Sequence, residues 1–212
     1  MDELDLLKKA WKKDTHSFEQ VSETEIYKML HRKSSSIVKW ILIISVLEFA
    51  VWAGVNILFN ADDAIKSLHA ESFSVYLKIL TYINYAVVLW FIYSFYRNYA
   101  KISTITSTKQ LMQDILKTRK TVQYYVWYNL SMIFVSTILG FIMAFVYNPK
   151  MEALKYKISH ENGYETITIT VCIILAITVL FVGLFWLIYR LLYGILLRKL
   201  HANYKELKKI DL

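Results

Sequence analysis

Trp40–Phe59 reads WILIISVLEFAVWAGVNILF, a run of 20 residues with a single charge, Glu48. A bilayer core about 30 Å thick needs ~20 helical residues at 1.5 Å rise each, so this run is long enough to cross it. Three more stretches of the same kind follow: Ile79–Tyr96, Val126–Tyr147 and Ile167–Tyr189, with 18, 22 and 23 residues and no charge. Apolarity is continuous rather than alternating, which argues against strands. In lipid the backbone must satisfy its own hydrogen bonds, and the helix is the form left open. The expected fold class is all-α: a polytopic membrane protein with four transmembrane helices and helical cytoplasmic extensions.

Lys and Arg set the expected orientation. Residues 1–39 carry eight, the segment between the second and third spans six, and the tail six, while the first and third loops carry two and three. Cytoplasmic loops are the Lys/Arg-rich ones, so both termini and the middle segment are expected inside, in a bacterial inner membrane. The acids Asp62, Asp63, Glu71, Glu152, Glu161 and Glu165 gather on the other side. The net charge of +8 therefore reads as a collar facing anionic headgroups, with the lipid bilayer as partner and no nucleic acid. Aromatics fit an interfacial belt. Trp40, Tyr93, Tyr96, Tyr99, Tyr124, Tyr125, Trp127, Trp186, Tyr189 and Tyr193 lie near the inner boundary, and Tyr76, Tyr82, Tyr147 and Tyr164 near the outer one.

This divides the chain into N-terminal cytoplasmic helices (1–36), a four-helix transmembrane domain (37–189) with a cytoplasmic middle segment (97–124), and a cytoplasmic C-terminal amphipathic helix (190–212). No cleavable signal peptide is read at the start, and the first span is expected to be a retained anchor. Cys172 is the single cysteine, which excludes an intramolecular disulfide. Five glycines and one proline, Pro149, predict continuous rather than broken spans.

The extensions have helical patterns of their own. Leu4, Leu7 and Trp11 share a face on a first short helix, with acids at its start and lysines at its end. Ser22-Glu23-Thr24-Glu25 reads as a capping box opening a helix that continues into the first span. A Ser/Thr-rich turn at 103–108 precedes Leu111, Met112, Ile115 and Leu116, which predicts that the third span extends inward by about four turns. The fourth runs on through Leu196, Leu200, Tyr204 and Leu207. Such extensions either pack on each other and the headgroups or form a docking surface for a cytoplasmic protein. Leu4, Leu7 and Trp11 are the docking candidates, since Thr15–Val21 separates their helix from the rest.

Glu48 is the candidate functional residue within the bilayer. Counting inward from the span edges puts Asn84, Ser136, Thr137 and Thr178 near its depth, as an intramembrane polar cluster. An ionised carboxylate there costs about 2.5–3.5 kcal/mol or more, and the uncharged acid is the expected resting form. Two roles follow: interhelical glue donating to a Ser, Thr or Asn, or a proton-coupled site. The layout resembles that of small multidrug-resistance transporters, which are four-helix proteins with one acidic residue in the first span. They are about half this length and lack the extensions, so the likeness is one of architecture.

Enzymatic motifs are not seen: no phosphate-cradling glycine loop, nucleophile elbow or HExxH, and the reading leans away from an enzyme. His16, His31, His69, His160 and His201 all lie outside the spans, so neither a metal nor another cofactor is expected. His69 with His160 is a weak outer-side metal candidate, and solvated loop histidines are the commoner case.

Leu4-Asp5-Leu6-Leu7-Lys8-Lys9-Ala10-Trp11-Lys12, Glu25–Leu30, Lys33–Trp40 and Leu111-Met112 through Thr121-Val122 resemble the corresponding parts of a group of small four-helix membrane proteins of Bacteroidota. Many of these are labelled beta-carotene 15,15′-monooxygenase, and some occur beside extracytoplasmic-function sigma factors. The enzyme label implies carotenoid cleavage at a histidine-ligated iron, which the histidine placement disfavours. The sigma-factor association implies a membrane protein whose cytoplasmic helices hold a protein partner, as an anti-sigma-like regulator. That is the first functional expectation; a small proton-coupled transporter using Glu48 and a carotenoid oxygenase are the alternatives. A homo-oligomer is compatible with all three.

Overall fold

The computed structural model describes residues 22–58, 71–105, 107–160 and 163–210. Leu4, Leu7, Trp11, the Thr15–Val21 linker, His16 and His69 lie outside them, as does most of the first loop. Every long apolar run lies in one unbroken helix: α1 (Glu23–Leu58), α2 (Glu71–Thr104), α3 (Thr108–Tyr147) and, after a short α4 (Glu152–His160), α5 (Gly163–Ile210). No strand occurs among the described residues. Four helices are long and apolar enough to cross a bilayer, and the chain is an all-α multi-pass membrane protein.

The start of α1 is a reciprocal capping box. The Ser22 backbone N–H donates to Glu25 Oε2 at 3.1 Å and the Glu25 N–H donates to Ser22 Oγ at 3.3 Å. Between α2 and α3 the chain reverses within residues 105–107, and α3 then runs 18 residues, about five turns, before reaching Val126. At the other end of α3, Asn148 adopts extended backbone (φ −81°, ψ 120°), as a residue before proline prefers. Its side-chain Oδ1 accepts from the Lys150 N–H at 3.0 Å, opening a 3-10 turn at Pro149–Met151 that leads into α4. Gly163 starts α5 where a Cβ would lie 2.4 Å from the Ile158 carbonyl oxygen, so only glycine fits the corner.

The four long helices stand in a square. α1 lies beside α2 and α5, α3 lies beside α2 and α5, and α1 meets α3 only weakly across the middle. Neighbours run antiparallel. Tyr27 near the start of α1 donates to the Ile105 carbonyl just past the end of α2, at 3.2 Å. Asn203 near the end of α5 donates to Ser34 Oγ in α1 at 3.1 Å, with both residues buried. Inward-facing residues recur at spacings of three and four: Leu30, Ser34, Val38, Ile41, Ser45 and Glu48 on α1, and Leu111, Ile115, Thr118, Val122 and Tyr125 on α3. That is the knobs-into-holes pattern of antiparallel bundles.

Among the described residues, packing is tight at one end and looser at the other. At the end rich in Lys and Arg, here the basic end, Leu30, Val38, Ile102, Leu111, Ile115, Leu200 and Leu207 form a buried core. The apolar stripes of the extensions thus cover one another. A second core of Ile41, Phe91, Phe95, Val122, Tyr125, Leu130, Tyr189 and Tyr193 continues it toward the middle. Further on, toward the far end, cavities lie between the helices.

The Ser34–Asn203 pair gives the helices a common ruler. Five residues further toward the far end lie Lys39 on α1 and Arg198 on α5, which therefore sit at about one level. Glu48 is nine residues beyond Lys39, about 13 Å at 1.5 Å per residue.

Candidate functional site

Glu48 projects from α1 into the bundle, where three phenols converge on it. Tyr125 Oη of α3 donates to Oε2 at 2.8 Å. Tyr193 Oη of α5 donates to the same oxygen at 3.2 Å, and Tyr189 Oη donates to Oε1. Tyr189 and Tyr193 are four apart, one above the other on a helix face, which lets one helix address both carboxylate oxygens. Aromatic packing holds the donors in place. Phe91 and Phe95 of α2 meet the Tyr125 ring edge-on, each at 5.4 Å between centroids, and Tyr125 meets Tyr193 edge-on at 5.8 Å. Edge-to-face pairs at such distances are the preferred aromatic geometry. Asn129 Nδ2 donates to the Tyr125 carbonyl at 2.9 Å.

On its far-end side the carboxylate faces a cavity of about 360 Å³ walled by Trp52, Asn84, Tyr85, Asn129, Ser136 and Phe185, among others. A second cavity of about 360 Å³ shares Trp52, Asn84, Tyr85, Met132 and Ser136 and continues past Asn56, Thr81 and Gly140. The two cavities adjoin through these shared residues, and among the described residues they make a passage leading toward Glu48 from the side of Asn56 and Gly140. Beneath it Tyr125, Tyr193, Phe91 and Phe95 form a buried floor, and the packed core of the basic end lies below that.

Among the polar residues expected near Glu48, Asn84, Ser136 and Thr137 line the cavity with it. None of them bonds to the carboxylate: Asn84 Oδ1 accepts from Tyr128 Oη at 3.1 Å, and Thr137 Oγ1 donates to its own helix at the Ile133 carbonyl, at 2.7 Å. Thr178 is elsewhere. It is buried between α5 and α3, donates to the Ile174 carbonyl at 2.8 Å and lines a separate groove on the outside of the bundle. The partners of Glu48 are tyrosines, and the phenols are the donors. Tyr125, Tyr189 and Tyr193 were expected in the interfacial belt but turn inward, only 1, 4 and 1 % exposed. Trp40, Tyr93, Tyr96, Tyr124 and Trp127 do face outward.

Outside this site, His160 stacks on Tyr156 at 4.5 Å, and His201 Nδ1 lies 3.2 Å from Arg119 Nη1. Among the described residues no cluster of three or more His, Cys, Asp or Glu is placed to hold a metal ion.

The architecture and the site define a class: an antiparallel four-helix membrane bundle with a single carboxylate at the floor of an intramembrane cavity. Residues 24–212 match a domain of unknown function, DUF8845, and the chain belongs to that family. No curated protein and no solved structure matches the chain.

Proposed function

We propose that the protein is a small membrane transporter that binds a lipophilic cation at Glu48 in competition with a proton. The observation that carries this is the position of Glu48, at the blind end of an aromatic-walled passage with its carboxylate facing both the cavity and three phenols. The chemistry is complementary. A carboxylate attracts a cation strongly where water is scarce, and the faces of Trp52, Tyr85 and Phe185 add cation–π attraction. Proton and cation would occupy the same oxygens, so each would displace the other. By the positive-inside rule the basic end is cytoplasmic, and the passage opens away from the cytoplasm.

The test uses the full chain in liposomes with tetraphenylphosphonium as the probe. An imposed pH gradient is expected to drive its uptake, and Glu48→Gln to abolish uptake while the bundle stays folded. A wild-type protein that neither binds nor moves the probe at any pH would refute the proposal.

One observation favours a second reading, that of a regulator acting on a cytoplasmic protein such as a sigma factor. α5 is a single helix of 48 residues that carries both Tyr189 and Tyr193, which hold Glu48, and Leu200, Asn203 and Leu207 of the basic-end core. A ligand that displaced the tyrosines would act on a rod reaching into the cytoplasm. The docking face for this reading is Leu4, Leu7 and Trp11. Leu7→Asp with Trp11→Asp should then release the sigma factor from the purified complex; unchanged recovery would count against it.

A further inference from the structure

We propose that Arg190 and the groove beside it, between α3 and α5 on the outside of the bundle, form a binding site for an anionic phospholipid. The arginine would hold the phosphate and the groove one acyl chain.

Depth is the first argument. Arg198 and Lys39 share a level where basic residues ring the bundle, and Arg190 is eight residues further along α5, about 12 Å deeper. The α5 sequence between them, Leu191–Leu197, has no charge. Arg190 thus ends the apolar run Ile167–Tyr189 and stands between it and the uncharged Leu191–Leu197. Its neighbour Tyr189 is buried against Glu48, whereas Arg190, about 100° around the helix, is exposed on the lipid side.

Direction is the second. Helical side chains lean toward the helix N-terminus, and the Arg190 guanidinium accordingly lies over the Trp186 ring, 5.0 Å from its centroid, a ring that also walls the groove. No carboxylate pairs with it among the described residues, so its donors are free for a ligand. A guanidinium presents a planar fork that fits phosphate oxygens.

The groove is the third. Its volume is about 490 Å³, and its walls include Trp127, Phe134, Val179, Gly183 and Trp186, with Ser131 as a polar member. Thr178 also lines it, but its hydroxyl is spent on Ile174. At Gly183 a Cβ would meet no heavy atom within 4 Å, so the missing side chain leaves open space. A largely apolar slot with a cation beside its Trp186 wall, unpaired among the described residues, matches an acyl chain joined to a phosphate. It does not match a water-soluble anion, which has no use for the slot, or a zwitterionic lipid, whose own cation opposes the arginine.

Native mass spectrometry of the full chain in mild detergent, titrated with dioleoylphosphatidylglycerol or dioleoylphosphatidylcholine, tests this. The wild type is expected to retain one phosphatidylglycerol roughly tenfold or more tightly than phosphatidylcholine, the worth of one charge-assisted bond. Arg190→Gln should erase that preference, and Arg190→Lys should restore part of it. Gly183→Phe should fill the slot and displace the bound lipid with the arginine still present, which keeps the test decisive if Arg190→Gln fails to fold. Equal retention of the two lipids by the wild type would overturn the proposal, as would a preference unchanged in both Arg190→Gln and Gly183→Phe. A dimer that is lost in Arg190→Gln and indifferent to added lipid would assign the groove to a second copy of this chain and overturn it equally.

Discussion

Three hydroxyl donors around one carboxylate leave Glu48 well satisfied as an acceptor, which is how a carboxyl group persists inside an apolar bundle. The same bonds join α1 to both α3 and α5, so the residue is structural glue whatever else it does. Glutamine keeps the size and the carbonyl acceptor but cannot exchange a proton. Glu48→Gln is therefore expected to fold, with thermal unfolding near that of the wild type, while losing any dependence of cation binding on pH. Glu48→Leu removes the acceptor from three phenols and should cost about 0.6–2 kcal/mol for each bond lost, the usual worth of an interhelical hydrogen bond in lipid. A Glu48→Gln protein that binds the probe with the wild-type pH profile would sink the proton-competition idea and leave the glue. Tyr189→Phe tests the donors separately. It deletes the donor to Oε1 but leaves Tyr125 and Tyr193 on Oε2. Binding should then strengthen, because the cation displaces one donor fewer; isothermal titration reads the sign directly.

At the scale of the helices, much was legible because local patterns carry it. The Ser22–Glu25 box and the continuous apolar runs each depend on a few neighbouring residues. The inward-facing tyrosines were not read, because their ring chemistry also suits a headgroup belt. A signal was present in the helical phase. Continuing the stripe Leu111, Ile115, Thr118, Val122 by one step of three lands on Tyr125, and continuing Leu30, Ser34, Val38, Ile41, Ser45 by three lands on Glu48. Depth counted from span edges was a poorer guide, since it grouped Thr178 with Glu48 although they face different spaces. α4 has no legible signature, because nine mostly polar residues after a proline have too few apolar positions to show a period. The packed extension makes its own prediction. Ser34→Ala leaves the buried Asn203 amide without its partner and should cost about 1–3 kcal/mol, whereas Ser34→Ala with Asn203→Leu should recover most of that. A double-mutant cycle on thermal unfolding measures the coupling. If the single and double variants were equally destabilised, the pair would not be what fixes α5 against α1.

For the whole molecule, the packed basic end and the cavities on the far side of Glu48 give the proposed functions a direction, so they turn on orientation. The basic end carries Lys39, Arg97, Lys120, Arg198 and their neighbours, while the far-end connections carry few cations. Insertion retains Lys/Arg-rich segments on the cytoplasmic side, so the α2–α3 turn should be inside and the α1–α2 connection outside. The check uses single cysteines in a chain whose Cys172 is replaced by serine, since that native thiol is exposed on α5. An impermeant thiol reagent on intact cells should label cysteine placed at Ser67 and spare cysteine placed at Ser17 or Ser107 until the cells are lysed. Ser107 is the most telling position, because it sits in the tight reversal before α3 and cannot be carried across the membrane without inverting the bundle. Labelling there without lysis would turn the passage to Glu48 toward the cytoplasm. It would also place Leu7 and Trp11 outside the cell, where no cytoplasmic partner could reach them, and Arg190 in the opposite leaflet.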